Sequence, residues 1–152
     1  MNIRKATIND TEGIRSLIFR AVEPESNPDF DEEGVQSFKN SIELTAIRER
    51  ILNAEYLTIC FIKEDSILGT ITIHKNAKLS QLFVDPEARN MNISKKLWLA
   101  AKEICSNNGN DGKYWVKSST MAIPVYESFG FRLDGTRKKE NGTFYYPMLL
   151  KS

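Results

Sequence analysis

Three strand-like runs lie almost end to end in the middle of the chain. They restrict its fold more than any other feature. YLTICFIK (56–63), ILGTITIHK (67–75) and KLSQLFV (78–84) are dense in β-branched and aromatic residues. The gaps between them are too short for a crossover, so they read as an antiparallel meander. Pro86 cannot continue a central strand, and the third run therefore ends by Asp85. The hydrophobic period then changes. Ile93, Leu97, Ala100, Ala101 and Ile104 recur at helical spacing, while Lys95, Lys96 and Lys102 fall off that stripe. SNNGNDG (106–112) is a turn cluster, and KYWVKSS (113–119) is a further strand. It is reached through a helix, so it can lie parallel to the strand before it.

The flanks complete the pattern. Residues 2 to 8 read as a short first strand. Asp10 and Thr11 are placed to cap a helix with Ile14, Leu17, Ile18, Ala21 and Val22 on one face. Two prolines in EPESNPDF (23–30) break that helix. A second helical region runs from about Asp31 to Asn53, with Val35, Phe38, Ile42, Ala46 and Ile51 inward; Gly34 and the polar residues around Ser41 interrupt it. Downstream, a short helix spans about Ala122 to Phe129 and stops at Gly130. GTRKKENGTFYYPMLLK reads as a hairpin turning at Asn141-Gly142. The expected order is β-α-α-β-β-β-α-β-α-β-β, an α/β fold with a mixed, mostly antiparallel sheet.

A length of 152 residues suits a single domain over 1–152 with one real core. Hydrophobic residues make up 41% and charged residues 27%, the balance of a globular chain. The formal net charge of +1 gives no general drive toward nucleic acid or an anionic membrane, and neither is expected as a partner. No apolar run approaches the ~20 residues that span a bilayer. MNIRKATIND lacks the apolar core of a signal peptide. Cys60 and Cys105 sit in apolar patterns and read as reduced, buried thiols, which points to a cytoplasmic protein. One histidine and two distant cysteines argue against a metal site. There is no Ser-His-Asp set, Walker loop or dinucleotide fingerprint.

Three segments carry a resemblance to the GNAT superfamily of acyl-CoA-dependent N-acyltransferases. LFVDPEAR (82–89) is similar to that family's central strand and its exit. The loop from Arg89 to Ser94 stands in place of the family's Q/R-x-x-G-x-G/A. SSTMAIPVYESFGF (118–131) is similar to N-x-x-A-x-x-x-Y-E-x-x-G-F. The likeness covers roughly residues 67 to 131. It implies a sheet splayed at its central strands, with acetyl-CoA as acyl donor. An acetyl group would pass to a primary amine of a small molecule or peptide by direct attack in a ternary complex. The donor's arm would pair with main-chain groups at Leu82, Phe83 and Val84. Its diphosphate would lie on the loop of Arg89, Asn90, Asn92, Ile93 and Ser94 at a helix N-terminus, where peptide N–H groups are unpaired. Asn90, Asn92 and Ser94 replace glycines of the family pattern. Asparagine tolerates positive φ and is a good helix cap, and serine is small enough to donate to phosphate. Ser119 replaces an asparagine near the donor's arm.

The resemblance makes Tyr126 the general acid facing the donor's sulfur, with a backbone N–H near Phe83 or Val84 stabilising the oxyanion. No general base is evident. Asp85 reads as a turn residue, Glu127 as a solvent-facing helix residue and His74 as a strand residue, so a water relay stays open. RKKE (137–140) reads as a solvated hairpin arm, DFDEE (29–33) as the acid-rich start of a helix, and Trp98 and Trp115 as core or interface. Two further readings stand beside the enzyme. One is a weak or inactive acyl-CoA-binding module acting through a protein partner. The other is a dimerisation domain using the last hairpin, with Phe144, Tyr145, Tyr146 and Met148, which leaves a homodimer open.

Overall fold

The computed structural model describes residues 2–151. Its elements are β1 (Asn2–Lys5), α1 (Thr11–Ala21), α2 (Glu32–Ser41), α3 (Leu44–Leu52), β2 (Tyr56–Lys63), β3 (Ser66–His74), β4 (Lys78–Val84), α4 (Ile93–Asn107), β5 (Lys113–Ser118), α5 (Ile123–Ser128), β6 (Arg132–Leu133), β7 (Lys138–Glu140) and β8 (Thr143–Lys151). The strands form one path, β1-β2-β3-β4-β5-β8-β6, with β7 paired to β8. Every pair is antiparallel except β4 with β5. The fold is therefore α/β with a mixed, mostly antiparallel sheet, as the patterning indicated.

Three details differ from expectation. The helical region 31–53 is two helices, because the chain bends at Ile42 and turns extended at Glu43. Two arginines take carbonyls freed there: Arg15 donates to Ile42 (3.1 Å) and Arg50 to Ser41 (2.5 Å). The bend lets Ile42 and Ile47 both reach the core. At the N-terminus the strand ends at Lys5, and Asp10 does not cap α1 with its side chain. Its carboxylate turns back instead. It accepts from Thr7 N–H (2.8 Å) and forms a two-pronged pair with Arg4 (2.8 and 2.9 Å). The Arg4 hydrogen bonds hold its pKa below the usual carboxylate range. That stabilisation is complete above the unfolded pKa near ~4 and is lost as pH falls through the lower folded value. Finally, β6 adds a strand. Gly130, at φ 104°, turns the chain after α5 so that Arg132 and Leu133 pair with Leu149 and Met148.

Burial is divided between the two faces of the sheet. On one, α4 and α5 cover Phe61, Ile71, Ile73, Leu79, Tyr114 and Val116, with Trp98 of α4 edge-on to Tyr114 at 5.0 Å. On the other, α1, α2 and α3 pack Ile14, Leu17, Ile18, Ile42 and Ile47 against Cys60 and Ile67. Trp98 is thus core, whereas Trp115 is partly exposed. Both cysteines are free and buried. Burial pushes the Cys60 thiol up to about 12 and the Cys105 thiol up to about 11, so neither is a thiolate near neutral pH. No helix among the described residues is long and apolar enough to cross a membrane.

Gly34, an odd residue for the first turns of a helix, is explained by a close approach. A Cβ there would clash with the carbonyl oxygen of Gly142 and lie 2.9 Å from its carbonyl carbon. Asn141 (φ 51°) and Gly142 (φ 79°) are both left-handed, as a two-residue hairpin turn of the primed type requires. The turn's backbone therefore rests directly on α2. In an unconstrained helix Gly→Ala gains about 1 kcal/mol. Here Gly34→Ala is expected to lose about 1–3 kcal/mol through overpacking; denaturant melting of the variant gives the sign.

Candidate active site

The site begins where β4 and β5 part. They pair at only two positions, Lys78↔Trp115 and Leu79↔Val116. The cause lies on the other edge of β4. Its register against β3 jumps from Ile73↔Leu79 to Thr72↔Gln81, which leaves Ser80 as an extra, unpaired residue. Such a bulge bends its strand and raises the local twist. From Gln81 onward β4 is therefore held by β3 alone.

Peptide groups on that free edge can be assigned by alternation. Asp85 N–H donates to the Leu68 carbonyl at 2.8 Å. Peptide groups two and four residues back, at Phe83 and Gln81, then also face β3, while those of Leu82 and Val84 face the split. So of the two N–H groups expected near a reacting carbonyl, Phe83 directs its own into the sheet. Its ring lies instead on the α2 face, edge-on to Phe38 at 6.4 Å, and Phe38 in turn lies 5.6 Å from Phe30.

The exit of β4 leads to the helix start. Asp85 accepts from Glu87 N–H (2.9 Å) and pairs with Arg20 of α1 (2.9 Å). It is a turn residue and a tie to α1, not a free base. A 3₁₀ turn over Pro86–Met91 follows, and Asn92 then adopts φ 59°, ψ 33° before α4 begins. Asparagine here takes the left-handed geometry for which glycine is the default. Its side chain makes no capping hydrogen bond, contrary to the expected cap. The N–H groups of α4's first turn have no intrahelical acceptor, and that end carries a partial positive charge. Arg89 is exposed, with no ion pair among the described residues. Asn90 is exposed in the 3₁₀ turn, Ser94 is half-buried in the first turn, and Ile93 is buried, anchoring the helix start.

Across the split, β5 ends at Ser118 and the chain turns into α5. Ser119 Oγ accepts from Ala122 N–H at 3.2 Å, which leaves its own proton free to donate. Tyr126 lies on the buried side of α5, its ring edge-on to Phe129 and Phe131. Burial raises its pKa above the ordinary phenol value, so the hydroxyl keeps its proton. That hydroxyl has no hydrogen-bond partner among the described residues. Yet no fully occluded, unpartnered side-chain oxygen or nitrogen exists among the described residues, so its tip meets solvent-accessible space. The remaining base candidates lie elsewhere. Glu127 is exposed, and His74 stacks on Tyr56 at 4.3 Å with Glu55 3.8 Å away. No group of three or more metal-ligating side chains occurs among the described residues.

One part of the site was not legible in the sequence. Asp29, read as part of a solvated acidic stretch, is 3% exposed. Its carboxylate accepts from Thr120 N–H (2.8 Å) and Thr120 Oγ1 (2.7 Å), tying the α1–α2 segment to the β5–α5 turn. The same segment pairs with the hairpin: Phe144 N–H donates to Asp29 O (2.8 Å) and Asp31 N–H to Gly142 O (3.0 Å). Asp31 also caps α2 through Gly34 N–H (2.9 Å). RKKE is exposed, as expected, and its charges are paired there. Lys139 pairs with Asp31 (2.8 Å), Glu140 with Lys117 (2.8 Å), and Arg137 lies over the Phe144 ring (3.8 Å). Residues 29–31 thus form an arch from the helices to the C-terminal hairpin. The signal available was Gly34 opposite Asn-Gly, two features that make sense only together.

A family model described as an acetyltransferase (GNAT) domain matches residues 26–152. The chain belongs to the GNAT acetyltransferase family. Solved GNAT structures share its fold over nearly the whole length. The PaiA N-acetyltransferase of Thermoplasma acidophilum, in complex with coenzyme A, is 20% identical with a TM-score of 0.84, covering 99% of this chain and 98% of that one. A GNAT acetyltransferase of Staphylococcus aureus Mu50 is 24% identical with a TM-score of 0.73, covering 95% and 96%. An aminoglycoside 6'-N-acetyltransferase complexed with coenzyme A is 13% identical with a TM-score of 0.69, covering 100% and 96%. Comparison with curated proteins returns no match.

Asn92 carries the departure from the GNAT glycine pattern. Asn92→Gly should leave stability within about 1 kcal/mol of the parent. Asn92→Val puts a β-branched residue at positive φ and should cost about 1–3 kcal/mol. Thermal melting of the pair checks both.

Proposed function

We propose that residues 1–152 act as one N-acetyltransferase domain, moving an acetyl group from acetyl-CoA to a primary amine by direct attack in a ternary complex. The observation that carries this reading is the free edge of β4, which runs straight into an unpaired helix N-terminus behind a left-handed Asn92. An arm with amide groups fits the first and a diphosphate fits the second. In the GNAT structures named above, coenzyme A is the ligand of two.

On this reading the outward peptide groups of Leu82 and Val84 hold the donor's arm, with Ser119 across the split. Arg89, Asn90, Ser94 and the N–H groups after Asn92 hold the diphosphate. The donor supplies a thioester carbonyl. The amine nitrogen bonds to that carbon and the C–S bond breaks. Leu82 N–H, the outward group farther from the diphosphate loop and so nearer the thioester, faces the negative charge that builds on the oxygen. Tyr126 donates to the departing sulfur. Because burial raises its pKa, its contribution is a hydrogen bond that strengthens as charge collects there, with the proton delivered as the bond breaks. Neither Asp85, Glu127 nor His74 faces the split, so the proton released by nitrogen leaves through water. The amine must therefore arrive neutral. The arch over the acceptor side favours a small molecule or a flexible peptide amine over a lysine in a folded surface.

Calorimetry with CoA and acetyl-CoA is the direct test. Binding in the micromolar range is expected, weakened about tenfold by Arg89→Ala. Binding at no concentration up to millimolar would sink the reading. Binding without turnover of any amine would favour an acyl-CoA-binding module instead. Tyr126→Phe should lower kcat about a hundredfold with little change in KM. The rate should rise with pH as the amine deprotonates, and show no falling limb below about pH 10 because Tyr126 stays protonated.

A further inference from the structure

The two halves of the sheet differ on their α1–α3 face. Those helices cover the N-terminal half. On the C-terminal half, α4 and α5 pack only on the side of Tyr114 and Val116, and Trp115 on the other side is 42% exposed. On this open face a small charged group has assembled. Lys78 of β4 stands opposite Trp115 at the last stretch where β4 and β5 pair, its ammonium 5.1 Å from the centre of the indole. Two residues further along β5, at the mouth of the split, the Lys117 ammonium lies 5.2 Å from the centre of the Tyr145 ring. Lys117 donates to Glu140 at 2.8 Å.

The charges do not balance. Two ammonium groups share one carboxylate, and Lys117 already holds it, while Lys78 has no ion pair among the described residues. Lys78 is half-buried, so water compensates its charge only in part. Its pKa is lowered by that burial and by Lys117, against the opposing pull of Glu140. An uncompensated, half-desolvated cation beside a second one, over an exposed indole and a half-buried phenol ring, is suited to an arriving anion. The position matters equally. Leu82, the outward group nearer the reacting end, lies four residues beyond Lys78 with the Ser80 bulge between them, so strand rise puts the two lysines on the order of 10 Å from that end.

We propose that Lys78 and Lys117 form an acceptor subsite for a carboxylate, so that the amine substrate is an amino acid or short peptide with a free carboxylate about 10 Å from its amine. The subsite deepens the acyl-transfer reading above and rests on it. Trp115 and Tyr145 form its apolar floor, and Glu140 holds Lys117 in place while competing with the ligand for it.

The test is calorimetry of the full chain with glycyl-glycyl-phenylalanine, whose extended length is about 10 Å, and with its C-terminal amide, which differ by the one negative charge. In CoA-saturated protein the free acid should bind about tenfold tighter. Lys78→Met and Lys117→Met each keep the side-chain stem and should cut that preference below about threefold, and Glu140→Gln should widen it. Added salt should shrink it in the parent protein. Equal binding of the two peptides, binding of neither, or a preference that survives both lysine substitutions overturns the proposal. Repeating the titration without CoA separates the two readings. A parent protein that binds no CoA sinks acyl transfer, while the preference for acid over amide still decides the subsite.

Discussion

Strand β4 is held on both edges for two residues and on one edge thereafter. The site depends on that asymmetry. An unpaired strand edge inside a sheet is costly, since its N–H and C=O groups have lost their partners. This chain creates one deliberately, with a single extra residue at Ser80 that re-aims the strand away from β5. The opening is then fixed from both sides. Arg20 and Asp85 tie the exit of β4 to α1, and Asp29 ties the β5–α5 turn to the segment after α1. Two buried or nearly buried carboxylates thus brace the split without facing it.

The absence of glycine in the helix-start loop has a local explanation. The loop needs one left-handed residue, at Asn92, and asparagine is among the few that take this conformation without a large steric penalty. Asn90 and Ser94 lie in 3₁₀ and helical backbone, where glycine's freedom is not used. Glycine is required instead at the arch. There the left-handed turn at Gly142 rests on the backbone of α2 at Gly34, and neither position has room for a Cβ.

Much of this was legible along the chain. The boundaries of β2 and β4 coincide with the runs 56–63 and 78–84, because half-buried strands need β-branched residues there and Pro86 can only follow them. The Asn141-Gly142 turn and the stop at Gly130 were equally clear, since their conformations exclude most other residues. What was missed shares a cause. Asp29 looks solvated when DFDEE is read alone, and it is buried against Thr120, 91 residues away. The break near Ser41 was signalled by its polar residues, but the contacts that hold it were not. Arg15 and Arg50, which satisfy its carbonyls, lie 27 and 9 residues from their partners.

The sequence by itself determined the element types, the meander, the helix start with its left-handed asparagine, and the family pattern around Tyr126. These are set by periodicity and by local backbone sterics, which act over a few residues. Tertiary structure alone decided which peptide groups face the split, that the Tyr126 hydroxyl keeps its proton, and that Lys78 and Lys117 share a single carboxylate. Hydrogen-bond direction in a strand depends on register against its neighbour. Burial and charge balance depend on residues brought together from distant segments. Neither quantity is a property of any stretch of chain read by itself.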